Sequence, residues 1–269
     1  MKWALLKDLL KLLILFGVIW GVFVIFPIFP DKSVLEISLE KEEQLGEIIV
    51  DNILANTPGF EEIHTPALDS AIFKISERLI GQIGLTDYQY TIKVIDNTEI
   101  NAFTLPGGNI FIYSGLLRFA DNADEVAAVL AHEIGHVEKR HVVSKLIKEF
   151  GINLIFSILT GGDAVMLSEL GKTAISTVFD RQQEKEADQY GLDLLADSGI
   201  SPKSLAAFFR RLKRESGSYD ESLEILMTHP HYNSRIKASI QYELPEDYKE
   251  VDFGIDWERV INSFSTGKE

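Results

Sequence analysis

The stretch Ala131-His132-Glu133-Ile134-Gly135-His136-Val137 sets two imidazoles four residues apart inside a run that reads as helix. Four residues advance an α-helix by about 400°, so His132 and His136 leave one face roughly 40° apart. Both rings can then grip a single metal ion. Glu133 stands one residue on, to the side of that pair, where a carboxylate reaches a water on the metal without having to ligate it. That is the position of a general base. The preceding Asp124-Glu125-Val126-Ala127-Ala128-Val129-Leu130 is rich in helix formers, with acids in the expected first turn. Chance alone places H-E-x-x-H in a helix on the order of once per hundred chains. Four of the six histidines, His132, His136, His141 and His229, nevertheless belong to this reading.

Catalytic zinc commonly takes three protein ligands and leaves one place for water. His141, five residues past His136, would sit about 140° round an unbroken helix. Lys139 also stands where the metzincin motif has the glycine that bends its helix. His141 therefore reads as a helix-end or surface histidine. Further on, Arg181-Gln182-Gln183-Glu184-Lys185-Glu186-Ala187-Asp188 continues a polar helical pattern. Glu184 and Asp188 share a face, whereas Glu186 lies about 200° from Glu184 and turns away. Glu184 is the expected third ligand, and Asp188 is placed to accept the second ring N–H of a ligating histidine. Alone, this segment would pass for an exposed helix carrying i,i+4 charges. The motif upstream reverses that reading.

Together these residues resemble a family. His132-Glu133-Ile134-Gly135-His136-Val137 with Arg140-His141, then Arg181, Glu184, Glu186, Ala187, Asp188 and Gly191, then Thr228-His229-Pro230 with Arg235, look like the gluzincin metalloproteases. That group includes the CAAX prenyl protease, the heat-shock protease HtpX, the BepA-type proteases and the mitochondrial Oma-type protease. Asn101-Ala102-Phe103-Thr104-Leu105-Pro106-Gly107-Gly108-Asn109 resembles their N-A-F-x-x-P-G-G segment. The resemblance runs over roughly residues 65 to 240. It implies a zinc endopeptidase holding one Zn2+ per chain on His132, His136 and Glu184, with Glu133 as base and Asp188 as supporting acid. It further implies that His229 faces the metal, as an oxyanion aid or as a latch. Arg235 would brace an Asp or Glu of the site.

The expected fold is α+β: a mostly helical zincin-like metalloprotease domain with a small edge-exposed β-sheet, preceded by one N-terminal transmembrane helix. The expected boundaries are an anchor over 1–30, a helical stalk or cap over 31–62, the protease domain over 63–243 and a docking tail over 244–269. Leu12 to Phe29 is eighteen residues without a charge, about 27 Å as helix and just enough for a hydrocarbon core. Lys2, Lys7 and Lys11 precede it, which puts the N-terminus in the cytoplasm and the catalytic part outside. A cleaved signal peptide is the competing reading, but the run is long for one and Phe26-Pro27-Ile28-Phe29-Pro30 offers no small-residue cleavage site. There is no cysteine, hence no lipid attachment through one and no disulfide. A formal charge of −15, from 26 basic and 41 acidic residues, argues against nucleic acid as partner. The expected partners are protein or peptide substrates and, through the N-terminal helix, the membrane. Oligomeric state leaves no mark.

Between these landmarks, residues 33–57 read as an acidic amphipathic helix and 66–82 as a core helix. Tyr88–Ile95, Phe103–Leu105 and Ile110–Tyr113 read as strands, and Pro106-Gly107-Gly108 as a turn. The glycine pair either serves that turn or, with Asn109, lines a sheet edge where an extended substrate backbone pairs along Gly108 to Ile112. Val142–Leu159 reads as a packed helix, or as a flap hinged at Thr160–Asp163. Two other classes stay open: a zinc-holding chaperone or assembly factor, and a tethered interaction protein with a degenerate site. A CAAX-processing role is disfavoured, because those relatives embed the site among several membrane helices and this chain has one candidate.

Overall fold

Ser38 opens the first helix of the main body, its hydroxyl accepting the Lys41 N–H and satisfying one free donor of the first turn. The structure, a computed structural model, describes residues 7–8, 11–17, 37–57, 60–162, 164–215, 224–229 and 232–265. They fall into two units, Met1–Ile37 and Ser38–Glu269. In the first, residues 7–8 and 11–17 are helical. From position 18 onward the expected membrane span lies outside the described residues, as do positions 33–36 of the expected acidic helix. Among the described residues no single helix is long and apolar enough to cross a membrane.

In the second unit α1 (Leu39–Asn56) is followed by α2 (Pro66–Ile80), which Thr65 caps and Pro66 opens, where the missing N–H is no loss. Then come β1 (Thr91–Ile95), β2 (Ala102–Leu105) and β3 (Asn109–Tyr113), in the spatial order β1-β3-β2. β1 runs parallel to β3 and β2 antiparallel to it. Pro106–Gly108 forms a single 3-10 turn between β2 and β3, and the Asn109 amide donates to the Pro106 carbonyl at 2.9 Å to close it. Gly107 has φ 77, and a β-carbon there would lie 2.7 Å from the Glu43 Cα of α1.

This arrangement corrects one expectation. β3 is the central strand, paired on both sides, so no incoming backbone can pair along Gly108 to Ile112. Gly107 and Gly108 are buried against α1 and the Tyr88–Gln89 segment. The edge opposite β1 belongs to β2, where Ala102 and Thr104 alternate with residues bonded to β3 and turn their backbone groups outward.

After β3 the chain is helical: α3 (Ser114–Phe119), α4 (Ala123–Glu138), α5 (His141–Phe150), α6 (Ile152–Leu159), α7 (Ala164–Ile175), α8 (Arg181–Asp197), α9 (Lys203–Glu215), α10 (Glu224–Thr228), α11 (Tyr232–Gln241) and α12 (Trp257–Ser265). Apart from Asp124, every residue of α4 through Val137 is buried. This helix is the centre of the body, packed on β2, α2, α8 and α9. The expected helix over Val142–Leu159 is two, α5 and α6, separated at Gly151 with φ 81. α12 packs on α2, and the Trp257 indole donates to the Ala120 carbonyl at 2.9 Å.

Candidate metal centre

Two glycines decide how closely α4 and α8 approach. A β-carbon on Gly135 would come within 2.6 Å of the Ala187 carbonyl oxygen, and one on Gly191 within 3.0 Å of the His132 nitrogen. Backbone therefore meets backbone, and His132 and His136 of α4 face Glu184 and Asp188 of α8. α8 starts sharply because Asp180 accepts from the Gln182 and Gln183 N–H groups while Gln183 reaches back to the Asp180 N–H.

His132 Nε2 lies 3.1 Å from His136 Nε2 and 3.2 Å from His229 Nδ1. Glu184 Oε1 is 3.3 Å from His136 Nε2 and 3.0 Å from His229 Nδ1, and its Oε2 is 3.8 Å from His132 Nε2. One atom from each of these four buried residues lies within 4.8 Å of every other. Zinc–nitrogen bonds of about 2.0–2.1 Å in a tetrahedron would put donor atoms roughly 3.3 Å apart. The spacing fits that ion.

The proton positions fit as well. His132 Nδ1 faces Asp188 Oδ1 at 3.0 Å, which keeps its proton on Nδ1 and a lone pair on Nε2. His136 Nδ1 faces His141 Nδ1 at 2.9 Å. Two Nε2 lone pairs pointing at each other across 3.1 Å repel unless a cation lies between them. Burial, reinforced by Arg235, brings the His132 pKa down to about 4, and burial likewise lowers His136 well below its usual range. Neutral imidazole is the form a metal needs. Burial opposes the charge on Glu184, but the neighbouring His229 and Arg235 outweigh it and hold the carboxyl ionised.

Glu133 is wholly buried, and neither of its carboxylate oxygens has a hydrogen-bond partner among the described residues. His229 Nε2 lies 3.5 Å from its Oε1. Burial, with the nearby Glu184 charge, raises its pKa to about 7 against the pull of His229 and Arg235. Arg235 answers the question of its partner twice over: it reaches Asp188 Oδ1 at 2.8–2.9 Å and Glu184 Oε2 at 3.2 Å.

Two features escaped the sequence reading. His141 is neither at the end of α4 nor on the surface. It begins α5, is buried, and spans His136 and Glu186, whose Oε2 is 3.2 Å from His141 Nε2. Glu186, expected to point away, thus touches the centre at one remove. Phe179 stacks on the His136 ring at 3.8 Å between centroids and 25° between planes. Gly107, Gly108 and Asn109 stand at the β2–β3 turn and are not among the clustered residues. Asn101, just before β2, is fully buried with neither amide atom bonded among the described residues.

Comparison with known proteins places these residues in context. The model of the family described as Peptidase family M48 matches residues 66–243. The chain is similar to the Beta-barrel assembly-enhancing protease of Escherichia coli (strain K12), with 30% identity over 213 residues, 74% of this chain and 43% of that protein. It is similar to the Mitochondrial metalloendopeptidase OMA1 of Schizosaccharomyces pombe, 30% identical over 181 residues, 65% of this chain and 52% of that one. The Metalloprotease LoiP of Escherichia coli (strain K12) is 35% identical over 159 residues, 54% of this chain and 62% of the relative. The chain spans less than two thirds of each of these three relatives. Since the family match runs through the helices that bring two imidazoles and a carboxylate to one point, the chain belongs to peptidase family M48.

Proposed function

We propose that this chain is a membrane-anchored, zinc-dependent endopeptidase. The carrying observation is the four-donor cluster with the buried, unbonded Glu133 carboxylate beside it. A zinc ion on His132, His136 and Glu184 would polarise the scissile carbonyl and lower the pKa of the attacking water to about 7. Glu133 takes that water's proton and returns it to the leaving amine, help worth about 10² to 10⁴ in rate. Asp188, itself held by Arg235, fixes the His132 ring with Nε2 toward the cluster. The edge of β2 at Ala102 and Thr104, both buried with α7 packed against the strand, is where an extended substrate would pair once that edge is uncovered. Replacing Glu133 by Gln should keep zinc bound and reduce hydrolysis of an unfolded protein at least 100-fold. A Glu133→Gln protein that digests at the wild-type rate refutes the mechanism.

A second reading has its own observation. His229 Nδ1 sits among the other donors, and His132, His136, Glu184 and His229 are all buried, with α7 packed against β2. In that reading His229 latches the site and the chain acts as a zinc-holding chaperone or assembly factor whose proteolysis is secondary. His229→Ala separates the two: release of a latch raises turnover, whereas loss of an oxyanion donor lowers it. For the anchor, the uncharged run Leu12–Phe29 and the preceding lysines support a single span with the protease domain outside the cytoplasm. Misfolded or envelope proteins are the proposed substrates; the E. coli relative is named for enhancing beta-barrel assembly.

A further inference from the structure

α4 ends at Glu138, and two residues later Arg140 adopts φ 54, ψ 34, the sole left-handed non-glycine among the described residues. Its guanidinium grips the buried Glu42 of α1, Nε and Nη2 each 2.7 Å from Oε2. The chain turns there, and the first side chain of α5 comes back onto α4. That side chain is His141, its Nδ1 2.9 Å from His136 Nδ1 and its Nε2 3.2 Å from Glu186 Oε2. Glu186 is in turn held by the Gln182 amide, which donates to Oε1 at 2.7 Å.

These contacts admit one assignment of protons if His136 is to present a lone pair to the cluster. His136 must then carry its proton on Nδ1 and donate it to His141 Nδ1. His141 must carry its own proton on Nε2 and donate it to Glu186. We propose that His141 and Glu186 are positioning residues for the metal, fixing the tautomer and ring angle of His136 as Asp188 does for His132. Glu42 and Arg140 set the turn that delivers His141. The two ligating histidines would thus be held by different chemistry, a buried carboxylate for one and a neutral imidazole backed by a partly exposed carboxylate for the other.

The inference rests on the zinc reading of the centre. Zinc content of the wild type tests that reading, and differences among variants test the relay. In the full chain, zinc affinity is measured by competition with a chromophoric chelator, together with the visible bands of the cobalt-substituted protein and the melting of each metal-free form. His141→Leu is expected to bind zinc about 10 to 100-fold more weakly and to shift the cobalt bands. His141→Asn puts an amide oxygen where Nδ1 stood and is expected to recover most of that loss; Glu186→Gln should fall near the weak end of the effect. The proposal is overturned if His141→Leu binds within about twofold of wild type with the same cobalt bands, or if Asn is as poor as Leu, which would make the ring mere filling. Should His141→Leu not fold, Glu186→Gln carries the test, and unchanged affinity and bands there overturn it.

Discussion

α4 buries almost every residue it has, whereas α8 keeps Arg181, Gln182, Lys185 and Gln189 in water and buries the face of Glu184, Ala187, Asp188 and Gly191. Small apolar side chains and neutral imidazoles make up most of α4, whose own buried acids are Glu125, paired with Arg211, and the unbonded Glu133. α8 brings two carboxylates with it, and removing each from water costs several kcal/mol unless partners compensate. Arg235, ion-paired with both, and the imidazoles that face them are that compensation. One wall of the candidate centre is therefore secured by close packing and the other by balanced charge, and the two should fail differently.

Arg235→Leu attacks the charged wall alone and should have the largest effect, about 3–5 kcal/mol of stability, because two buried acids lose their cation. Urea unfolding of the metal-free protein measures it; a loss under 1 kcal/mol would mean that α8 does not depend on this compensation. Gly135→Ala attacks the packed wall. Its new methyl meets the Ala187 carbonyl oxygen at 2.6 Å, so the helices must part, at about 1–3 kcal/mol and with weakened zinc binding. Unchanged stability and metal affinity would show that the contact can relax. The smallest effect is one both walls share. Asn122 caps α4 by accepting the Glu125 N–H and Asp180 caps α8, so Asn122→Ala and Asp180→Ala should each cost about 0.5–2 kcal/mol in thermal unfolding. A difference beyond that range would show that one helix end is tied down by more than its cap.

The contrast also explains what the sequence disclosed. The four-residue spacing of His132 and His136, and of Glu184 and Asp188, fixes which side chains share a helix face, and the structure brings all four together. His141 is not legible from spacing, because nothing in Lys139-Arg140 announces the left-handed turn that ends α4; that conformation is anchored by Glu42, about a hundred positions away in the chain. Phe179 is a single aromatic in a connection and has no periodicity to reveal its ring on His136. The strands were legible from alternation, but their order was not: hydropathy marks β3 as apolar without saying that β1 and β2 flank it. Alternation alone therefore lets Gly108 to Ile112 pass for an edge.

The zinc content of the full chain, wild type against Glu184→Ala, tests the meeting of α4 and α8 most directly. Wild type is predicted to hold one zinc per chain after dialysis against a weak chelator, and Glu184→Ala to lose it while the metal-free forms of both still unfold cooperatively. A Glu184→Ala protein that keeps a full equivalent of zinc would contradict the account.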